Sequence, residues 1–229
     1  TAGSTTSFDA GRGCPFTCSF CTIINVQGHK SRQRSIESIE NIIRDNVKQG
    51  LSSFFISDDD FARNKNWESI LDKFIELREV YKLKISFTIQ VDTLCYNLPG
   101  FIEKSGRAGV KRAFIGLENI NPDSLLGASK RQNKITDYRA MLLAWKKVGI
   151  ITCCGYILGF PSDTQESILR DIEIIKKELP VDLLEFFYLT PFPGSEDHKK
   201  LHIAGVAMDE DLNMYDANHS VTAHPKMSK

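Results

Sequence analysis

The sequence lacks a net charge, because its 29 lysine and arginine residues are balanced by 29 aspartate and glutamate residues. A protein that binds nucleic acid or a membrane surface usually carries a basic excess, so this balance supports neither class. The sequence also lacks an apolar run long enough to span a bilayer, and it lacks the pattern of a signal peptide. We therefore expect no nucleic-acid partner and no membrane span.

Cysteine is sparse as well. Six cysteines among 229 residues do not suit the disulfide framework of a small secreted domain. Three of them, Cys14, Cys18 and Cys21, fall within eight residues at a Cys-x3-Cys-x2-Cys spacing, in a loop opened by Gly11 and Gly13. Thiolates this close in sequence can converge on one metal centre without help from the rest of the fold.

The cysteine spacing leaves more than one kind of metal site open. A structural zinc site requires four protein ligands, and a zinc-binding module would need a fourth one, for which His29 is the nearest histidine. Ferredoxin patterns supply four thiolates, whereas three cysteines would leave one iron of a cluster open for a small ligand. A non-enzymatic zinc or electron-transfer iron–sulfur module therefore stays as an alternative.

The cysteine motif, with the aromatic Phe20 just before its last cysteine, resembles the signature of the radical S-adenosylmethionine (radical SAM) superfamily. The resemblance implies that the three thiolates hold a [4Fe-4S] cluster whose fourth iron is chelated by SAM. It further implies an enzyme in which the reduced cluster cleaves SAM to a 5′-deoxyadenosyl radical, which abstracts hydrogen from an unknown substrate. An electron donor such as flavodoxin or ferredoxin is then needed, together with a reducing compartment, which we take to be the cytoplasm.

The remaining sequence alternates between strand-like and helix-like patterns. Strands are predicted at about 4–10, 51–57, 85–91, 110–117, 150–159 and 183–189, and helices begin near Ser35, Asn66, Phe101, Tyr138 and Thr164. This alternation predicts a parallel α/β sheet with right-handed crossovers. Six units fall short of the eight in a closed barrel, so we expect a partial (β/α)6 TIM-like barrel over residues 1–195, the architecture that the resemblance also implies. Residues 196–229 read as an irregular C-terminal extension.

In parallel α/β folds the active site lies at the carboxyl ends of the strands, and an acidic triplet follows the second strand. Asp58, Asp59 and Asp60 look like the motif that receives the amino group of SAM in this superfamily. A carboxylate can accept hydrogen bonds from an ammonium, so the chemistry agrees. The alternative is a solvated acidic loop that caps the next helix, and the sequence does not say which aspartate acts.

Motifs that follow two later strands also resemble those of this superfamily. Glu118 resembles the glutamate near the SAM ribose or amino acid moiety, with helix capping as its alternative. Lys130 falls where similar proteins place a basic residue facing the SAM carboxylate, although a lone lysine is often solvated. Ile157 and Gly159 resemble the strand-five residues that contact adenine, where a small residue lets the backbone approach a flat ring.

These motifs look most like those of the cobalamin-binding radical SAM proteins, judged by the aspartate triplet and by the Thr-Pro-Phe-Pro-Gly turn at residues 190–194. The similarity implies cobalamin bound through a domain not in this chain, and methyl transfer as one reaction that the core could serve. The chain begins at Thr1 without a methionine, so we expect a missing N-terminal domain.

The other cysteines and the late histidines carry no predicted site. Neighbouring strand residues point to opposite faces, so core packing is the interpretation for Cys153 and Cys154, while nothing distinguishes Cys95 from an ordinary buried thiol. A second metal site among the late histidines is not adopted; these are His198, His202, His219 and His224.

Overall fold

A computed structural model describes residues 5–227. The predicted first strand begins at residue 4 and the predicted extension ends at residue 229, and both of these ends lie outside the described residues. The main sheet has six strands: β1 (Thr5–Phe8), β2 (Ser53–Ile56), β3 (Ser86–Val91), β4 (Val110–Glu118), β5 (Ile151–Leu158) and β6 (Leu183–Tyr188).

The six strands pair in chain order and every pair is parallel. β1 and β6 form the two edges of the described sheet, so the sheet is open. This is the predicted partial barrel. The strand bounds agree with the sequence prediction to within about two residues, because period-two alternation and buried apolar runs are local signals.

Six helices of eight or more residues accompany the strands: α1 (Ile36–Lys48), α2 (Trp67–Glu79), α3 (Phe101–Ala108), α4 (Tyr138–Lys147), α5 (Gln165–Glu178) and α6 (Glu196–Ile203). The predicted caps are confirmed at two helix starts. The hydroxyl of Ser35 accepts a hydrogen bond from the Ser38 amide, and Thr164 forms a capping box with Ser167.

The C-terminal extension is more regular than expected. Residues 196–203 were predicted to be irregular, yet they form α6, and its N-cap Ser195 accepts from the His198 amide. The prediction was wrong here because α6 buries none of its residues, so it shows no apolar stripe for a periodicity argument to find. Beyond it, as far as residue 227, the regular structure consists of a short 3-10 turn at Leu212–Met214 and an isolated bridge between Met208 and Thr222.

The sequence reading also missed several short elements. An antiparallel pair, Gly11–Arg12 with Arg32–Gln33, closes the two ends of the segment that carries the three cysteines. Two short helices, Ile23–Val26 and Pro122–Gly127, follow the first and fourth strands. Elements of two to six residues are too short for periodicity to reveal.

The core lies between the sheet and its outer helices. Phe87 of β3 stacks on Phe54 of β2 with ring centroids 5.7 Å apart, and on Phe74 of α2 at 4.0 Å. Burying an aromatic side chain of this kind contributes roughly 1.5–3 kcal/mol. Cys95 and Cys154 belong to this core, in line with ordinary packing. The sheet is therefore a rigid platform that fixes the loops at its carboxyl edge.

Within residues 5–227, none of the helices combines the length and the apolar composition that crossing a bilayer requires.

Candidate functional site

The loop that carries the three cysteines is fixed by its backbone. Gly13 has a φ of +101°, and a Cβ added there would lie 2.7 Å from the carbonyl oxygen of Lys30, so only glycine fits. The amide of Cys14 donates to the carbonyl of Gly28 at 3.2 Å. Further along, the amide of Cys21 donates to the carbonyl of Cys18 at 3.1 Å, which forms a turn between the last two cysteines.

Two of the thiols, those of Cys14 and Cys21, have raised pKa values. Burial raises the pKa of Cys14 to about 12, and the neighbouring Asp60, Cys18 and Cys21 add to the rise. Burial also raises the pKa of Cys21, against the opposing effect of the Lys130 ammonium. Thiols with raised pKa values are protonated near neutral pH, so a metal that binds here must displace protons.

Among the described residues, no group of three or more histidine, cysteine, aspartate or glutamate side chains has the arrangement of a preformed ion site. The three cysteines, His29 and the late histidines are among the residues that form no such group. The rings of His198 and His202 stack with centroids 6.4 Å apart.

Asp58 fixes the start of the cysteine loop. Its carboxylate accepts hydrogen bonds from the amides of Ala10 at 2.6 Å and Gly11 at 2.9 Å, and from the side chain of Asn64 at 3.0 Å. Burial raises the pKa of Asp58, and these hydrogen bonds oppose the rise. With its oxygens engaged in this way, Asp58 joins the end of β2 to the residues that precede the cysteines.

Asp59 has a related role one residue later, because its carboxylate accepts from the amide of Gly13 at 2.6 Å. Two members of the triplet therefore hold the cysteine loop. Asp60 is the member whose side chain does not bind that loop, and the interpretation of the triplet as a solvated acidic loop is wrong for Asp58 and Asp60, which are buried.

Asp60 lies in a buried cluster of charges. Its carboxylate accepts from the amide of Asp92 at 3.4 Å, and Asp92 pairs with Arg63 at 2.5 Å. Burial and the neighbouring Asp92 raise the pKa of Asp60 well above its usual range, while Arg63 opposes the rise. The guanidinium of Arg63 also lies 5.9 Å from the ring centroid of Phe16 in the cysteine loop.

Glu118 and Lys130 form a buried ion pair. Lys130 Nζ lies 2.5 Å from Glu118 Oε1, and the side chains are 10% and 12% exposed for the lysine and the glutamate. Burial opposes the charge on Lys130, but the Glu118 carboxylate and Cys18 together hold its pKa above the usual value. The ammonium lies 5.8 Å from the ring centroid of Phe20. The alternative of a solvated Lys130 is therefore wrong, and the pair faces the cysteine loop.

A small apolar cluster lies beside this pair. Phe20, Ile157 and Phe160 pack with Ala128 and Leu189, and the rings of Phe20 and Phe160 meet edge to face at 6.5 Å. Gly159, with a φ of +93°, turns the chain at the end of β5. The structure thus brings the predicted residues Phe20, Ile157 and Gly159 to the same edge of the sheet as the cysteines.

Sequence reasoning missed a buried polar network next to the cysteine loop. The side-chain amide of Gln132 donates to the sulfur of Cys18 at 3.4 Å. Asn133 donates to the carbonyl of Leu117 at 2.8 Å, and Tyr138 donates to the same carbonyl at 3.0 Å. The only sequence signal was the unbroken polar run from Ser129 to Lys134 after a buried strand.

A cavity of about 700 Å³ lies next to the apolar cluster. It is enclosed by the end of β5, by α6 and by residues 220–227, which are tied down where His224 hydrogen-bonds the carbonyl of Phe160 at 2.9 Å. Ser19 lines the cavity, whereas the three cysteines, Asp60 and Glu118 do not. The cavity therefore adjoins the cysteine loop, and Gly159 and Phe160 at the end of β5 belong to its lining.

Comparisons with known proteins agree with this geometry. Bacteriochlorophyllide d C-12(1)-methyltransferase of Chlorobaculum tepidum is 30% identical over 193 residues, which are 81% of this chain and 40% of that protein. The hopanoid C-2 methylase of Rhodopseudomonas palustris is 23% identical over 191 residues, 81% of this chain and 36% of the relative. The chain spans less than half the length of the curated relatives that it matches.

Solved structures share the fold. The radical SAM methyltransferase TsrM from Kitasatospora setae, solved with cobalamin and a [4Fe-4S] cluster bound, matches with a TM-score of 0.78 and 18% identity over 91% of this chain and 38% of that one. The family model of the radical SAM superfamily matches residues 9–175, which include the cysteine loop and strands β2 to β5. Because this match covers most of the sequence, the chain belongs to the radical SAM superfamily.

Proposed function

We propose that this domain binds a [4Fe-4S] cluster through Cys14, Cys18 and Cys21, and binds SAM beside it. The complete protein then acts as a radical SAM enzyme, with methyl transfer as the class of reaction. The observation that carries the proposal is the meeting of three thiols, the carboxyl of Asp60 and the Glu118–Lys130 pair at the carboxyl edge of one parallel sheet.

The donor set fits an iron–sulfur cluster better than zinc. Soft thiolates are the ligands that such clusters prefer, and the Lys130 ammonium nearby offsets part of their negative charge. A zinc site would need a fourth protein ligand, whereas the cysteine motif supplies three, and a cluster held by three thiolates would leave one iron open for SAM.

The remaining residues suit the two ends of SAM. Asp60 would receive the ammonium, because an incoming cation stabilises the ionised form of a carboxyl whose pKa burial has raised. Lys130, held in its charged form, would pair with the SAM carboxylate, and Glu118 would face the ribose or the amino acid moiety. Ile157 and Phe20 would contact the adenine, since they belong to the apolar cluster at this edge, and Gly159 would let the backbone approach the ring.

When bound and reduced, the cluster supplies the electron that cleaves SAM into methionine and a 5′-deoxyadenosyl radical. The chain's own contribution is orientation and shielding. The apolar cluster around Phe20 and Phe160 would keep water from the reacting atoms, and the buried Asp92–Arg63 pair would hold Asp60 in place. A small reductant such as flavodoxin or ferredoxin would deliver the electron in a reducing compartment, which we take to be the cytoplasm.

We infer that cobalamin is the methyl carrier and binds in a domain outside this chain. TsrM was solved with cobalamin bound, and OxsB with aqua-cobalamin bound matches with a TM-score of 0.65 and 17% identity over 96% of this chain and 38% of that one. The chain leaves more than half of each relative unmatched, which is room for a cobalamin domain.

Anaerobic reconstitution of the complete protein with iron and sulfide tests the proposal. We expect a cluster absorption that changes when SAM is added, and release of 5′-deoxyadenosine when the cluster is reduced. Replacing Cys14, Cys18 and Cys21 with alanine should abolish both signals, whereas the control Cys153→Ala, outside the loop, should keep them. One zinc per chain with no iron, or a triple variant that retains the cluster, would refute the proposal.

A further inference from the structure

Gln132 directs its side chain at the sulfur of Cys18. Its Nε2 lies 3.4 Å from Sγ, and both residues are buried, at 8% and 7% exposed. We propose that the Gln132 amide is a positioning residue that donates a hydrogen bond to the Cys18 thiolate and thereby raises the reduction potential of the cluster. The inference rests on the proposed function, because it takes Cys18 as a cluster ligand.

The chemistry of the two groups fixes which end of the amide faces the sulfur. A thiolate can only accept hydrogen bonds, whereas the glutamine side chain has an NH2 donor and a carbonyl acceptor. A carbonyl oxygen turned toward a thiolate would be repelled, so the NH2 group is the end that fits.

Gln132 is held in position by the ends of two strands. Thr93, which follows β3, has its hydroxyl 3.5 Å from the carbonyl oxygen of Gln132 and 3.3 Å from Oδ1 of Asn133. Asn133 in turn donates to the carbonyl of Leu117 in β4 at 2.8 Å. The segment that carries the amide is therefore anchored, and the amide does not swing freely as a surface glutamine would.

Hydrogen bonds to cluster sulfurs are one of the means by which a protein sets a cluster's potential. The reduced cluster carries one more negative charge than the oxidised cluster, so a fixed donor stabilises the reduced form more. Lys130 also acts on Cys18, but its charge is shared with Glu118 and, in the proposed complex, with the SAM carboxylate. The contribution of Gln132 to the reduction potential does not change when SAM binds.

The test compares Gln132→Leu with wild type in the complete, reconstituted protein. A redox titration followed by electron paramagnetic resonance, without SAM, should give a more negative midpoint potential for the variant at unchanged iron content. Gln90→Leu is the matched control, because the Gln90 amide donates to the carbonyl of Asp58 at 3.2 Å and not to a sulfur, so its potential should stay near that of wild type. An unchanged potential in Gln132→Leu, or an equal shift in Gln90→Leu, would overturn the inference.

A second measurement needs no variant. Wild-type protein labelled with ¹⁵N in its glutamine side chains should show a ¹⁵N coupling to the reduced cluster in pulsed electron paramagnetic resonance, and a spectrum without that coupling overturns the inference. This experiment decides the matter even where Gln132→Leu fails to retain a cluster. If the wild-type protein forms a cluster but shows no ¹⁵N coupling, and Gln132→Leu does not shift the potential, only the role of Gln132 is refuted. If the wild-type protein forms no cluster, the proposed function is refuted as well.

Discussion

Lys130 and Glu118 lie 12 residues apart in sequence, and their charged atoms meet at 2.5 Å in a region where both side chains are about one-tenth exposed. Glu118 reaches this position through a backbone φ of +64°, which is uncommon outside glycine. A buried pair of this kind gives little net stability, but either charge without its partner is costly. We therefore propose that the pair receives a second ionic group rather than supporting the fold.

The first prediction concerns this pair in the cluster-free protein. Lys130→Met leaves the Glu118 carboxylate buried without its partner, so we expect the free energy of unfolding to fall by about 3 kcal/mol. The double variant Lys130→Met, Glu118→Gln should recover most of that loss, because it buries no charge. Urea denaturation measures both. Equal losses in the single and the double variant would show that the charges are screened by water.

The second prediction concerns pH and Asp60. Its pKa is raised in the folded protein, so the stability that Asp60 contributes is fully present below its unfolded pKa and is lost as the pH rises through the folded pKa. Asp60→Asn stays neutral at every pH. We expect the variant to gain stability over wild type as the pH rises from 4 toward 8, measured by urea unfolding of the cluster-free protein. A difference independent of pH would contradict the raised pKa.

The same substitution has a separate effect on binding. If Asp60 receives the SAM ammonium, Asp60→Asn should weaken SAM binding to the reconstituted protein by at least about tenfold, which corresponds to ~1.4 kcal/mol. The spectral change of the cluster on SAM titration reports it. If Asp60→Asn bound SAM as tightly as wild type, the SAM ammonium would have to be received by another group.

A third prediction separates Asp58 from Asp59. Asp58→Ala leaves the buried amides of Ala10 and Gly11 without an acceptor, and we expect a loss of about 3 kcal/mol in the free energy of unfolding. Asp59→Ala removes one part-buried hydrogen bond to Gly13 and should cost about 1 kcal/mol. Urea titrations of the two variants give the comparison. If Asp58→Ala were as stable as wild type, the loop-holding role of Asp58 would be lost.

The fourth prediction compares two glycines at the ends of one loop. Gly13 and Gly28 both have positive φ angles, so alanine at either position is strained by about 1–2 kcal/mol. A Cβ at Gly13 would also lie 2.7 Å from a backbone oxygen, whereas a Cβ at Gly28 meets open space. Gly13→Ala should therefore lower the iron content after reconstitution, while Gly28→Ala should not. Equal iron content in the two variants would argue against a rigid cysteine loop.

The sequence was informative wherever the signal was local. Five of the βα units were predicted from strand alternation, from the apolar stripes of the helices and from the caps at Ser35 and Thr164. Each of these signals involves residues within a few positions of one another. It failed at α6, whose eight residues bury nothing and so leave no periodic trace. An apolar stripe arises where a helix packs against a distant part of the chain, and it does not depend on helix propensity.

The cysteine triad belongs to what the sequence determined by itself, since three thiols on one short loop share a site in almost any fold. The sequence also determined the parallel α/β architecture through its repeating local patterns. Only the tertiary structure decided that Asp58 and Asp59 hold the cysteine loop and that Asp60 stays free of it. It also decided that the Gln132 amide meets a sulfur 114 positions earlier in the chain. The physical reason is that such contacts depend on how the strand ends align at one edge of the sheet, and no short stretch of sequence encodes that alignment.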